Sequence, residues 1–261
     1  MTAPGAHRPT RGHPDAVPAY DEDDSVLSLR ATVPQTLRWG EGAGDVADVR
    51  PGNGHGPLLV LLHGGFWRPA YDRTHTRPMT QALAEAGWAV AAPEYRREPG
   101  DPDATCQDVR HALATLPALV SGHDGRVVVA GHSAGGHLAL WAAATCPAPG
   151  LVRTVGLGAV ADLALAEQLG LGGGAVPAFL GAVAATRPDL DPAMASGSAG
   201  SPAPVVLVHG RQDLVVPVSV ARSYADRHPS TGLVEVPGAG HFALIDPRSM
   251  AWPAVVHALT V

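Results

Sequence analysis

The strongest chemical signal in the chain is a serine between small residues, Gly131-His132-Ser133-Ala134-Gly135. It lies between a buried apolar run, Arg126 to Ala130, and a helical pattern from Ala134 to about Thr145 that Pro147 closes. A strand-to-helix turn tight enough to lift a hydroxyl over a sheet edge tolerates only small neighbours, and G-x-S-x-G supplies them. The backbone N–H of Ala134, at the start of the helix, then faces the reacting oxygen. A serine hydroxyl is a weak nucleophile on its own and needs a base, which in turn needs an orienting group. Downstream, His209-Gly210-Arg211-Gln212-Asp213 ends the apolar run Val205 to Val208 and sets Asp213 at the C-terminal edge of a strand. Ligands of open α/β sheets bind at that edge. Gly238-Ala239-Gly240-His241-Phe242 follows the run Leu233 to Val236 and places His241 in a loop after the last strand. His137, His209, His228 and His257 suit the role of base less well, because they fall inside, beside or at the end of regular elements. Ser133, Asp213 and His241 are therefore the candidate catalytic set.

A tetrahedral oxyanion requires a pair of aimed donors, and losing one typically costs about 2.7–4 kcal/mol of transition-state stabilisation. His63-Gly64-Gly65-Phe66-Trp67 follows the buried run Leu58 to Leu62. Its glycines let backbone amides approach a ligand without interference from a Cβ. The N–H groups of Gly64, Gly65 and Phe66, with that of Ala134, are the candidate oxyanion donors. His63 precedes the turn and is expected to brace it. Phe66 and Trp67 offer an aromatic wall, and Trp67 is the candidate substrate-binding residue. Arg68, Tyr71, Asp72, Arg73 and His75 follow and are candidates for the pocket lining. The sequence has no H-E-x-x-H, no C-x-x-C and no G-x-G-x-x-G between strand and helix, so no metal and no organic cofactor is expected.

The elements that must position these residues alternate from about residue 57 onward. Leu58-Leu59-Val60-Leu61-Leu62 reads as a strand buried on both faces. Met79, Leu83 and Ala86 mark a helix stopped by Gly87, and Trp88 to Ala92 forms the next strand. Cys106, Val109, Leu113 and Leu116 mark a second helix. Leu151 to Val160 is a further strand, and a last helix covers about Ser249 to Leu259. Two leading strands, Ser25 to Arg30 and Asp45 to Arg50, are expected antiparallel to each other. Such alternation implies an α/β fold, a mostly parallel central sheet with helices on both faces. Residues 162–201 exceed what one crossover helix requires, and form either a small cap insertion or a long crossover with loose ends.

With 261 residues, 46% of them apolar and 16% charged, the chain suits one large domain, expected over 23–261. Residues 1–22, rich in Pro, Gly, Ala and charge, are expected to be a disordered tail. All 18 basic residues are arginine, and the formal net charge of −6 argues against nucleic acid and anionic membranes as partners. Neither a signal peptide nor a membrane span is visible, which makes the cytoplasm the expected location. Cys106 and Cys146 are expected to be free thiols.

HGGFW, GHSAGG, HGRQDLVVP and GAGHF together resemble the esterase and lipase branch of the α/β-hydrolase superfamily, over about residues 25 to 261. The order Ser…Asp…His is the one expected of that superfamily. HGGFW is similar to the H-G-G-x-W pattern of kynurenine formamidases. The run Glu94-Tyr95-Arg96-Arg97 is similar to one that small bacterial esterase-like members carry. Phe66 stands where the hormone-sensitive-lipase-like branch usually has a third glycine. The resemblance implies the α/β-hydrolase fold and a serine hydrolase acting on a small-molecule ester or amide. Cleavage of N-formyl-kynurenine is the alternative activity, and a non-catalytic small-ligand binder the distant one.

Overall fold

The computed structural model describes residues 22–195 and 203–261. Among them, eight strands form one sheet: β1 (Gln35–Arg38), β2 (Val46–Arg50), β3 (Leu58–Leu62), β4 (Ala89–Pro93), β5 (Val127–His132), β6 (Leu151–Leu157), β7 (Val205–Gly210) and β8 (Gly232–Val236). Their order is β1-β2-β4-β3-β5-β6-β7-β8. β2 runs antiparallel to both β1 and β4, and every other neighbouring pair is parallel. The central strands are apolar at successive positions because both faces of the sheet are covered. Leu58, Val60 and Leu62 belong to one core cluster, Leu59 and Leu61 to the other, as the two-residue period of a strand requires. All five are fully buried, and each contributes roughly 1.5–3 kcal/mol of hydrophobic stabilisation.

Helices α1 (Arg77–Glu85) and α7 (Trp252–Leu259) cover one face, through Met79, Leu83, Val255 and Leu259. The other face carries α2 (Pro102–Leu119), α3 (Ala134–Thr145) and α6 (Val218–Arg227), through Val109, Leu138 and Val220. α3 is buried along nearly its whole length, which its apolar composition allows on every side. Between β6 and β7 lie α4 (Leu163–Gln168) and α5 (Leu171–Leu180), followed by two short 3-10 turns. Gly172, Gly173 and Gly174 all have positive φ, so α5 opens with a left-handed turn that side-chain-bearing residues would resist. Residues 196–201 of the expected insertion and residues 1–21 of the expected tail lie outside the described residues.

The fold is the expected α/β class, with differences at its margins. Ser25–Ser28 forms a 3-10 turn, not a strand. Asp23 accepts the Ser25 N–H through its side chain (3.0 Å) and Asp24 accepts that of Leu27 through its carbonyl (2.9 Å), curling the chain while Val26 is buried. The first strand is instead Gln35–Arg38, an edge strand too exposed to carry an apolar signature. The apolar run from Leu151 yields a strand only to Leu157, because Gly158 (φ 52°) turns the chain. The last helix begins at Trp252 rather than near Ser249, whose hydroxyl donates to the Ala243 carbonyl (2.5 Å). Cys106 and Cys146 are unpaired.

Candidate active site

Ser133 stands between β5 and α3 with φ 56° and ψ −119°. The packing around it explains the small residues of the motif. A Cβ on Gly131 would lie 2.0 Å from the Gly135 carbonyl oxygen, and one on Gly135 would lie 2.1 Å from that of Leu62. Nothing larger than glycine allows the turn to close at either position. The elbow is then pinned from both sides, Ser133 N–H donating to Leu157 O (2.9 Å) and Ser133 O accepting from His137 N–H (3.1 Å) and Val160 N–H (3.2 Å). Among the described residues, the only non-glycine positions with positive φ are Phe66, Trp67 and Ser133. Such backbone costs about 1–3 kcal/mol per residue and persists where the surroundings enforce it. Here all three fall on the two motifs that the sequence singles out for chemistry.

The turn after β3 lies against the elbow. A Cβ on Gly64 would sit 3.0 Å from the Cβ of Ser133 and 3.0 Å from the His132 carbonyl oxygen. Gly65, with φ 116°, has Tyr71 packed where its side chain would be. Ala134 is the first residue of α3, so its N–H has no partner within the helix and belongs to the positive end of the helix dipole. Of the sequence-predicted donors, Gly64 thus lies against Ser133 and Ala134 follows it directly, while Gly65 and Phe66 continue the same turn.

His63 braces this turn. Its Nδ1 donates to Gly64 O (2.8 Å), its Nε2 lies 3.0 Å from Glu94 Oε1, and Tyr95 stacks on its ring at 4.2 Å while donating to its carbonyl (2.6 Å). Burial pushes the Glu94 carboxyl up, but His63 and Arg97 outweigh it and hold it at about 2. Glu94 also binds Arg97 and Arg73, and Arg73 reaches the buried Asp48 (2.9 Å). The run Glu94-Tyr95-Arg96-Arg97 is therefore a support for the turn. Arg96 is engaged with Asp108 (2.6 Å) on α2. Of the candidates for the pocket lining, Tyr71 packs on Gly65, Asp72 caps the turn at Thr74 (2.9 Å) and Arg73 joins the ion network.

Asp213 and His241 meet where β7 and β8 end. His241 Nδ1 donates to Asp213 Oδ2 at 2.7 Å. The other carboxylate oxygen, Oδ1, accepts from Val215 N–H (3.0 Å) and Val216 N–H (2.7 Å), which fixes the carboxylate plane. Burial pushes the Asp213 carboxyl up, but the charge of His241 and hydrogen bonds from His209 and His241 hold it well below the usual carboxylate range. Ser133, Asp213 and His241 are all at least 95% buried, which strengthens these interactions.

Three supporting residues escape the motif reading. His209 Nε2 donates to Val216 O (2.7 Å) and lies 3.3 Å from Asp213 Oδ2, so it steadies both Asp213 and its loop. The spacing of four between His209 and Asp213 was the available signal. His132 Nε2 donates to the carbonyl of His241 (3.2 Å), and the two rings lie 4.5 Å apart. Burial and the neighbouring His241 push its imidazole well below its ordinary value, so it is a neutral donor. Gly158 forms the floor beneath Asp213 and His241. A Cβ there would stand 3.0 Å from His241 Nδ1 and 3.2 Å from Asp213 Oδ2.

The segment after β6 covers the other side of the elbow. Phe179 stacks on Trp67 at 4.5 Å, the Cβ position of Gly172 is 3.0 Å from the Phe66 ring, and Arg68 donates to Gly172 O. Trp67 is itself 98% buried, held edge-on against His137 at 5.2 Å. Among the described residues no group of three or more His, Cys, Asp or Glu is placed to hold a metal ion, and no helix is long and apolar enough to cross a membrane.

The chain superposes on esterase B from Lactobacillus rhamnosis with a TM-score of 0.73 at 20% identity, covering 90% of this chain and 86% of that one. The chain has the α/β-hydrolase fold. Residues 45–155 match the BD-FAE family model, a span that holds the Gly64-Gly65 turn and Ser133 but neither Asp213 nor His241. The chain is similar to "Probable carboxylic ester hydrolase LipM" of Mycobacterium tuberculosis, 30% identical over 67% of this chain and 45% of that protein. It is also similar to kynurenine formamidase of Danio rerio, 31% identical over 41% of this chain and 39% of that protein. The chain spans about half the length of the curated mycobacterial esterases it matches, 45% and 54% of the first two. The sequence resemblance to the esterase side of the α/β hydrolases is therefore shared by its relatives.

Proposed function

We propose that the protein is a serine hydrolase that cleaves a carboxylic ester of a small molecule through an acyl-enzyme, with Ser133 as nucleophile, His241 as base and Asp213 as its orienting acid. His241 takes the Ser133 proton on Nε2 as Oγ attacks the carbonyl carbon. Asp213 holds the Nδ1–H tautomer and stabilises the imidazolium that forms. The oxyanion is met by the Ala134 N–H and by N–H groups of the Gly64-Gly65-Phe66 turn. His241 then passes its proton to the leaving alcohol. Water, deprotonated by the same imidazole, opens the acyl-enzyme and returns the proton to Ser133. The segment 162–195 acts as a small cap, with Phe66 and Trp67 forming the aromatic wall between it and the elbow.

The observation that carries this reading is the 2.7 Å hydrogen bond between His241 and Asp213, seated at the strand ends beside a serine held at φ 56°. The esterase names of several relatives support the choice of ester. A second reading, an arylformamidase acting on N-formyl-kynurenine, is favoured by His63-Gly64-Gly65-Phe66-Trp67 and by the likeness to kynurenine formamidases. Values of kcat/KM for a short p-nitrophenyl ester and for N-formyl-L-kynurenine, with Ser133→Ala as control, separate the two. The ester is expected to be preferred. A hundredfold preference for the formamide replaces the first reading with the second, and undiminished turnover by Ser133→Ala removes both.

A further inference from the structure

We propose that Glu22 is a positioning residue for catalysis, because its carboxylate joins the peptide N–H of His241 to that of Leu214, the residue after Asp213. This rests on the serine-hydrolase reading above and extends it to a residue that lies before the first strand.

One carboxylate oxygen, Oε2, accepts from His241 N–H (2.5 Å), and the other, Oε1, accepts from Leu214 N–H. The two loops that carry the base and the acid are thus bridged by one side chain with an acceptor for each. Hydrogen bonds from backbone N–H to an ionised carboxylate are stronger than those to a neutral acceptor. The approach is made possible by Gly240, where a Cβ would sit 2.6 Å from Glu22 Oε2. Glu22 is itself anchored close by: the next residues curl into the Ser25–Ser28 turn, with Val26 only 2% exposed.

The need for such a bridge follows from how His241 is otherwise held. Its loop, Pro237 to Gly240, contains two glycines. The stem is tied by Gln212 N–H to Ala239 O (3.0 Å) and by Gly238 N–H to Gln212 Oε1 (2.6 Å), but both bonds act on residues before the base. His241 itself is fixed at its carbonyl by His132 and at its N–H by Glu22. Without Glu22, the peptide that leads into the base and the peptide that follows the acid both lose their acceptor. The geometry between imidazole and serine then loosens while the Phe66 and Trp67 wall on the other side of the elbow is untouched. Loss of alignment of this kind acts on kcat and not on KM.

The test compares Glu22→Ala, Glu22→Gln and Asp23→Asn in the full chain on a p-nitrophenyl ester, together with the rate at which a p-nitrophenyl phosphonate inactivates each. Glu22→Ala is expected to lower kcat about tenfold or more with KM within about twofold, and to slow phosphonate inactivation by the same factor. Glu22→Gln keeps one acceptor oxygen and is expected to fall between Ala and the native residue. Asp23→Asn is expected to match the native protein, and thermal unfolding identifies any variant that fails to fold. A kcat for folded Glu22→Ala within twofold of native overturns the proposal. So does a rise in KM at constant kcat, or an equal loss in Asp23→Asn. Turnover retained by Ser133→Ala overturns the underlying reading and this proposal with it. An inactive Ser133→Ala beside a fully active Glu22→Ala overturns this proposal alone.

Discussion

The turn after β3 and the loop after β8 lie on opposite sides of β5, the strand that leads to Ser133, and they are held by different forces. Behind the β3 turn lies an ion network in which His63, Glu94, Arg97, Arg73 and Asp48 are linked and largely buried. The β8 loop is held instead by hydrogen bonds of single peptide groups with Gln212, His132 and Glu22, and by the bond from His241 to Asp213. A buried ion network is costly to disturb because removing one member leaves its partners charged and unsolvated. A loop held by hydrogen bonds can be loosened with little effect on the rest of the fold. The turn that carries the proposed oxyanion donors is built into the stability of the protein, whereas the loop that carries the proposed base is adjustable.

That contrast is sharpest at Asp213. Asp213→Asn keeps an oxygen for the Val215 and Val216 N–H groups, so the unfolding midpoint should hardly move, while kcat should fall about 10⁴-fold as His241 loses its tautomer. A kcat loss below tenfold would break the comparison outright. Glu94→Gln should do the reverse, destabilising the fold by about 3 kcal/mol as Arg97 loses its carboxylate and Arg73 is left with Asp48 alone, with a smaller fall in kcat. Denaturant titration would show it, and a midpoint equal to native would mean that the network does not support the turn. Gly158→Ala places a methyl group against both Asp213 and His241 on a left-handed backbone. It should lower kcat roughly 10²-fold, by displacement of the pair, and activity equal to native would contradict the packing described.

The smallest effect is on pH dependence. Burial pushes the His137 imidazole down to about 4, and burial with the charge of His241 pushes that of His132 down as well. Both are neutral in the fold, while in the unfolded chain they take a proton below about pH 6.5. The unfolded state then binds more protons, so stability is full above that pH and falls as the pH drops towards the folded value. Each group contributes a slope of about 1.4 kcal/mol per pH unit in that window. Unfolding midpoints in denaturant between pH 7 and 5 would measure it, and a flat profile would show that both rings take up protons in the fold.

The parts of the site that were legible in the sequence are those where covalent spacing does the positioning. Ser133 and Ala134 follow a strand directly, and Gly131 and Gly135 are small because backbone carbonyls fill the space around them. Asp213 and His241 were readable because each follows a strand; β7 is buried towards its end, whereas β8 is an edge strand of which only Val236 is buried. The supports were not readable, because their partners are remote in sequence: Glu94 for His63, His132 for His241, and Glu22 for both triad loops. Polarity misled at the margins of the fold. Gln35–Arg38 pairs by its backbone at an exposed edge, where side chains carry no burial signal. Ser25–Ser28 buries one valine and turns on two preceding aspartates, a pattern that resembles a short strand.

The central claim is that Ser133 is the nucleophile, and covalent trapping tests it most directly. The protein is treated with a p-nitrophenyl phosphonate, digested, and the modified peptide located by mass spectrometry. One adduct on Ser133, formed in step with loss of esterase activity and absent from Ser133→Ala, is the predicted result. An adduct elsewhere, or full activity after Ser133 is modified, would contradict the account.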